Sequence, residues 1–169
     1  MKNTAAFLAL FLVLAPIAPV PLASQTPGPD AGEGVRFGIS LGGVSTVGLT
    51  VEFYRDARSV DVTLGTWSFR DASLSSTVRQ YFGGAAARPV VGLGLWLVGS
   101  RAAQDERVGW ALTLRAPVGL DWEVSEPHAA GLFVNVNRGL WVRRSDPADR
   151  LPMNRRLVPL PELYYRYAR

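Results

Sequence analysis

The residues that could do chemistry are few. The single histidine, His128, sits in the segment Ser-Glu-Pro-His-Ala beside Ser125 and Glu126, so a nucleophile, an acid and a base are close in sequence. Those residue types are also ordinary turn formers, and the segment reads as an exposed turn carrying a histidine. Asp121 and Glu123 fall on one face of an extended segment, a spacing open to acid/base catalysis or cation binding. Arg79 and Arg115 are available as their partners, so a structural, ion-paired role is expected. Gly92 and Gly94 are followed by no helical pattern and suit close strand packing, not a phosphate loop. There is no cysteine, and one histidine excludes any site needing two imidazoles. No catalytic residue, metal site or cofactor is expected.

The elements that hold these residues follow from composition and periodicity. The chain has 169 residues, and all of its 18 basic side chains except Lys2 are arginine. Lys2 precedes the apolar run Ala-Ala-Phe-Leu-Ala-Leu-Phe-Leu-Val-Leu-Ala, which breaks at Pro16 and leads to small residues at Ala23 and Ser24. A charged start, a short apolar core and a small-residue cleavage site predict a Sec-type signal peptide over residues 1–24, too short in its apolar part to span a bilayer as a helix. Residues 25–34, rich in Pro, Gly and acids, read as a flexible lead-in. Beyond residue 24, 17 arginines face 14 acids, a net +3 too small and too dispersed for a nucleic-acid partner.

From Val35 the pattern has period two, which places residues 35–169 in one all-β domain. Val35, Phe37, Ile39 and Leu41 alternate with Arg36, Gly38, Ser40 and Gly42. Further runs follow at Val47–Tyr54, Val60–Gly65, Leu74–Phe82 and Pro89–Val98. The longest keeps its parity from Val108 to Val124, with Trp110, Leu112, Leu114 and Leu120 on one face and Arg115, Pro117, Gly119 and Asp121 on the other. No helix produces that period, and Pro117 is too weak a turn signal to split it. Runs at Leu132–Trp141 and Pro161–Arg169 bring the total to eight, the number for an antiparallel up-and-down barrel.

A barrel in water turns its apolar face inward and a charged face outward. Here the second face is mainly Gly, Ser, Thr and Ala with scattered ions, too bland for a solvated exterior. The reverse orientation, with apolar residues toward lipid, predicts a transmembrane barrel with a narrow lumen. The lumen charges are then Arg36, Arg79, Arg115 and Arg166 against Glu52, Asp61, Asp121, Glu123 and Glu162, a balance that predicts a salt-bridged, closed interior. An aromatic girdle is expected from Phe37, Phe53, Trp67, Trp110, Trp122, Trp141, Tyr165 and Tyr167, joined by Phe69 and Phe82. The two longest polar connections, Gly99–Arg107 and Val142–Arg156, fall at odd positions in the strand order, so both would face outward if the termini are periplasmic. A narrow channel or small-solute carrier, and a soluble barrel enclosing an apolar ligand, are the alternatives.

The succession Gly-Val-Arg-Phe-Gly-Ile-Ser-Leu-Gly-Gly, Arg-Pro-Val-Val-Gly-Leu-Gly-Leu-Trp-Leu and Gly-Leu-Phe-Val-Asn-Val-Asn-Arg-Gly-Leu resembles small eight-stranded bacterial outer-membrane barrels, of which OmpA and OmpX are typical, and within them exported barrels of unassigned function. Its most specific part is Arg115-Ala116-Pro117-Val118-Gly119-Leu120, similar to an R-x-P-x-G segment of those proteins. The chain departs from them in strand seven, with Asn135 and Arg138 in place of a Glu followed by Pro, and at its end, with Arg169 after Tyr167 in place of a terminal aromatic. The resemblance implies a monomeric protein of the Gram-negative cell outer membrane, structural or surface-interacting and not an enzyme. Its implied partners are the lipid bilayer, lipopolysaccharide-type lipids and the outer-membrane insertion machinery.

Overall fold

The computed structural model describes residues 32–101, 107–146, 153 and 156–168. The signal peptide expected over residues 1–24 and most of the expected lead-in lie outside the described residues. Each alternating run forms a strand, because a period of two is the only regular spacing that puts every second side chain on the same side of the backbone. The strands are β1 (Glu33–Gly42), β2 (Ser45–Arg55), β3 (Arg58–Thr66), β4 (Asp71–Tyr81), β5 (Ala87–Arg101), β6 (Val108–Ser125), β7 (His128–Arg143) and β8 (Val158–Ala168). β1 therefore opens two residues ahead of Val35, and His128 is the first residue of a strand, not part of the turn before it.

Every strand pairs antiparallel with its sequence neighbours, and β1 pairs with β8, so the sheet closes into a barrel in the order of the chain. Following paired residues from Ala111 through Val98, Ser73, Gly65, Gly48, Ser40, Tyr164 and Gly131 returns to β6 at Asp121, ten residues along. That stagger in eight strands corresponds to a tilt of about 40° from the barrel axis. The connections β1–β2, β3–β4, β5–β6 and β7–β8 open at one end, called here the loop end. The other three, with Gly32 and Ala168, lie at the short-turn end.

Two local features depend on particular residues. β6 runs unbroken through Pro117, but its ladder with β5 has no paired residues between Val91–Val118 and Gly94–Arg115. The register is the same on both sides, so the gap lies where proline has no N–H to donate. At the loop end, Gly42 and Gly43 take φ of +82° and +67°, a region open to glycine without strain, and turn the chain so that Val44 folds over the lumen. Val44 is 1% exposed, and its carbonyl accepts a hydrogen bond from Trp67 Nε1 at 2.8 Å.

Polarity is inverted relative to a barrel with an apolar core. The buried set is dominated by Arg, Asp, Glu, Asn, Ser and Thr, while Leu49, Leu93 and Leu163 are 64%, 57% and 56% exposed. The apolar buried cluster is small, Tyr81, Val90, Phe133 and Tyr164, and lies inside the lumen.

Candidate functional site

Each strand sends at least one polar side chain into the lumen, and together they form two groups. The first is at the waist. Arg115 of β6 donates through Nε to Asn135 Oδ1 (2.7 Å), through Nη1 to Ser75 Oγ (3.1 Å) and through Nη2 to Glu162 Oε2 (2.6 Å). Asn135 Nδ2 donates in turn to Glu162 Oε2 at 2.8 Å. The planar guanidinium thus joins β4, β6, β7 and β8, with each of its three nitrogens bonded to an acceptor. The residue in strand seven that departs from the outer-membrane pattern, Asn135, orients the pair, while β8 supplies the carboxylate.

The second group fills the half nearer the short turns. Arg166 contacts Glu52, donates to Tyr81 Oη at 2.5 Å, lies 3.7 Å from Asp121 Oδ1 and stacks 3.9 Å above the Tyr164 ring. Tyr81 donates to Glu52, and Tyr164 to Asp121. Arg88 reaches Asp121 Oδ2 at 2.7 Å, and Arg36 lies 3.7 Å from Glu52 while stacking on Tyr54 at 4.3 Å. Arg79 pairs with Asp61 at 2.6 Å and sits 4.8 Å over the Phe133 ring. Delocalised guanidinium planes lie flat on aromatic rings at little desolvation cost, so a cluster rich in both packs densely.

Glycines on the inner face make room for these rings. A Cβ at Gly131 would sit against the Tyr164 ring, one at Gly119 against Phe133, and one at Gly92 against Pro117. The backbone approach that glycine permits therefore sets how much aromatic and guanidinium volume the lumen holds.

Of the charges read from the sequence, Arg36, Glu52, Asp61, Arg79, Arg115, Asp121, Glu162 and Arg166 are buried in this network. Glu123 is only half-buried, toward the short-turn end, and its Oε2 has no hydrogen-bond partner among the described residues. Arg88 is not among the lumen charges expected from the sequence, because the fifth alternating run is read from Pro89. Extending the parity of Gly92 and Gly94 backward by two steps would have put Val90 and Arg88 inside, where both are buried. Alternation puts Tyr81 and Tyr164 on the inner face, but it does not signal the role of their hydroxyls, which bond Glu52 and Asp121.

The outer wall carries a second set of aromatics. Phe37, Phe53, Trp122, Tyr165 and Tyr167 are half or nearly half exposed near the short-turn end, and Trp110 and Trp141 are about as exposed near the loop end. Trp67, expected in the girdle, turns instead to the mouth of the lumen, with Nε1 bonded to the Val44 carbonyl and its ring 6.4 Å from that of Trp96. Trp110 and Trp122 stand twelve residues apart on β6, which at a rise of about 3.3 Å and a tilt of about 40° separates them by about 30 Å along the axis. His128 is on this wall, with Nδ1 2.5 Å from Tyr165 Oη and its ring edge-on to Tyr167. Its neighbours in space are thus tyrosines, and it does not reach the lumen carboxylates. Among the described residues no group of three or more His, Cys, Asp or Glu side chains is arranged to hold a metal ion.

No family model matches the chain, and searches of curated proteins and of solved structures return no match to it.

Proposed function

We propose that the chain is an outer-membrane β-barrel protein of structural or surface-interaction type, exported by a Sec-type signal peptide, with a closed, salt-bridged lumen and no catalytic activity. The observation that carries the reading is the inversion of polarity. Apolar side chains cover the outside of all eight strands between two aromatic zones, and the ions at that depth are inside except Arg138, just below the loop-end zone. In water so much exposed apolar wall would drive association. In a bilayer it is the surface that hydrocarbon requires, and the spacing of the two zones is close to the ~25 Å apolar band of such barrels. The loop end, with its longer connections, would face outward, and the short turns would face the periplasm.

The lumen supports the closed form over a channel. Arg115, Glu162 and Asn135 meet across the waist, and the cluster around Arg166 occupies the half below it. Opening a path would separate buried ion pairs, each of which would leave an uncompensated charge.

Expression of the full chain followed by membrane fractionation tests the proposal. The protein should be recovered in the outer-membrane fraction and should migrate faster on a denaturing gel before boiling than after, as a closed barrel that resists detergent does. Recovery in the soluble fraction would overturn it. Purified protein in planar bilayers should give no steady conductance. Stable channels would replace the closed reading with the channel reading.

A further inference from the structure

The charges outside the lumen are unequally divided between the two ends. Among the described residues the loop end carries seven arginines, including Arg101, Arg138 and Arg143, against Asp71 and Asp146. The short-turn end carries Arg55 and Arg58 against Glu33, Asp56 and Glu126. Adding, from the sequence, the connecting residues outside the description gives nine arginines against five acids for the loop-end segments. Asp71 is already engaged, accepting from Trp67 N, Thr66 Oγ1 and Ser68 Oγ.

Three of these arginines share the outer wall of β5, β6 and β7 with the two tryptophans of that end. Arg143 is paired with Trp110, Arg138 with Leu114, and Arg101 with Val108, while Trp141 is paired with Leu112. All three arginines are exposed, and none has a carboxylate partner among the described residues. Arg138 is the informative one. Its register puts it two paired positions below Trp141, about 5 Å along the axis toward the apolar band, on a wall where its neighbours are Leu114 and Val136. An arginine stem is long enough to lift its guanidinium back to the tryptophan level while its methylenes lie on the leucines.

On the membrane reading above, we infer that this patch binds the phosphate of an anionic lipid in the loop-side leaflet, with Arg138 and Arg143 holding the phosphate and Trp110, Leu112 and Leu114 in contact with the first part of the acyl chains. The arrangement combines planar donors suited to phosphate oxygens with an apolar surface directly beneath them. A protein ligand would not require the guanidinium of Arg138 to approach from the hydrocarbon side.

The test uses the full-length mature protein in phosphatidylcholine vesicles, with spin-labelled phosphatidylglycerol and spin-labelled phosphatidylcholine as probes of the lipid layer on the barrel. The wild type should prefer the anionic probe, and the R138Q/R143Q variant should lose at least about fivefold of that preference, the size expected for basic side chains at a membrane surface. R138K/R143K should keep part of it, and R55Q, at the other end, should keep all of it. Excess inorganic phosphate should leave the preference in place, since the acyl contacts favour the lipid. Equal binding of the two probes by the wild type, an equal loss in R55Q, or complete competition by free phosphate would each overturn the inference. A protein that enters no vesicle fails the membrane reading and this inference together, whereas one that inserts without preference fails the inference alone.

Discussion

The two charged groups of the lumen solve the same problem with different redundancy. At the waist, Glu162 has one cation, Arg115, and one amide, Asn135. In the short-turn half, Glu52 is approached by Arg166, Arg36 and Tyr81, and Asp121 by Arg88, Arg166 and Tyr164. A buried carboxylate is tolerable only while something compensates it. With one partner that condition fails at a single substitution. With three it degrades in steps, because the remaining donors can close in. Glu52 and Asp121 are therefore the tolerant carboxylates, whereas Glu162 at the waist, and Asp61 with Arg79 as its one ion-pair partner among the described residues, are the vulnerable ones.

The largest effect should come from breaking the pair. Arg115→Met keeps much of the volume and leaves Glu162 buried with no cation, which should cost about 3–5 kcal/mol in denaturant unfolding of the micelle-bound barrel. The double variant Arg115→Met/Glu162→Met removes the uncompensated charge and should recover most of that loss. A double variant as unstable as the single one would mean that the cost lies in packing and that the comparison fails at the waist. A smaller effect is expected in the cluster. Arg88→Met leaves Asp121 with Arg166 and Tyr164, so the loss should be nearer that of one charged hydrogen bond, roughly 2 kcal/mol. Equal losses for Arg88 and Arg115, measured the same way, would remove the distinction between the two regions.

Much of this was legible in the sequence, and what was not has a physical reason. Strict alternation gives the strands and the face of each residue, so β6 could be read as one strand through Pro117. The barrel order follows from short connections between eight such runs. The inner position of Arg115 and Asp121 is also a matter of parity. Pairing is not, because which arginine meets which acid depends on the stagger of the closed sheet: the ladders put Arg115 of β6 opposite Asn137 and, through it, Val158 of β8, whereas its side chain meets Glu162, four residues further along β8. The turn that brings Val44 over the lumen depends on two consecutive left-handed glycines, a property of backbone angles that the residue types permit but do not require. Arg88 shows the opposite case, where the signal was present and lay just past the boundary assigned to the run.

The smallest effect sharpens the comparison from the side without ions. Ser40 and Ser45 line the lumen toward the loop end, and their hydroxyl oxygens are buried without a hydrogen-bond partner among the described residues. A buried polar atom that makes no hydrogen bond contributes little by being there, and its removal also removes a desolvation cost. Ser40→Ala should therefore change the unfolding free energy by no more than about 0.5 kcal/mol, and any change should be toward higher stability. The substitution only deletes Oγ, which faces Gly48 across the β1–β2 ladder, and so introduces no new contact. A loss of stability as large as that of Arg88→Met would show that the hydroxyls belong to a bonded layer, and the lumen would then have three interdependent regions where the geometry gives two.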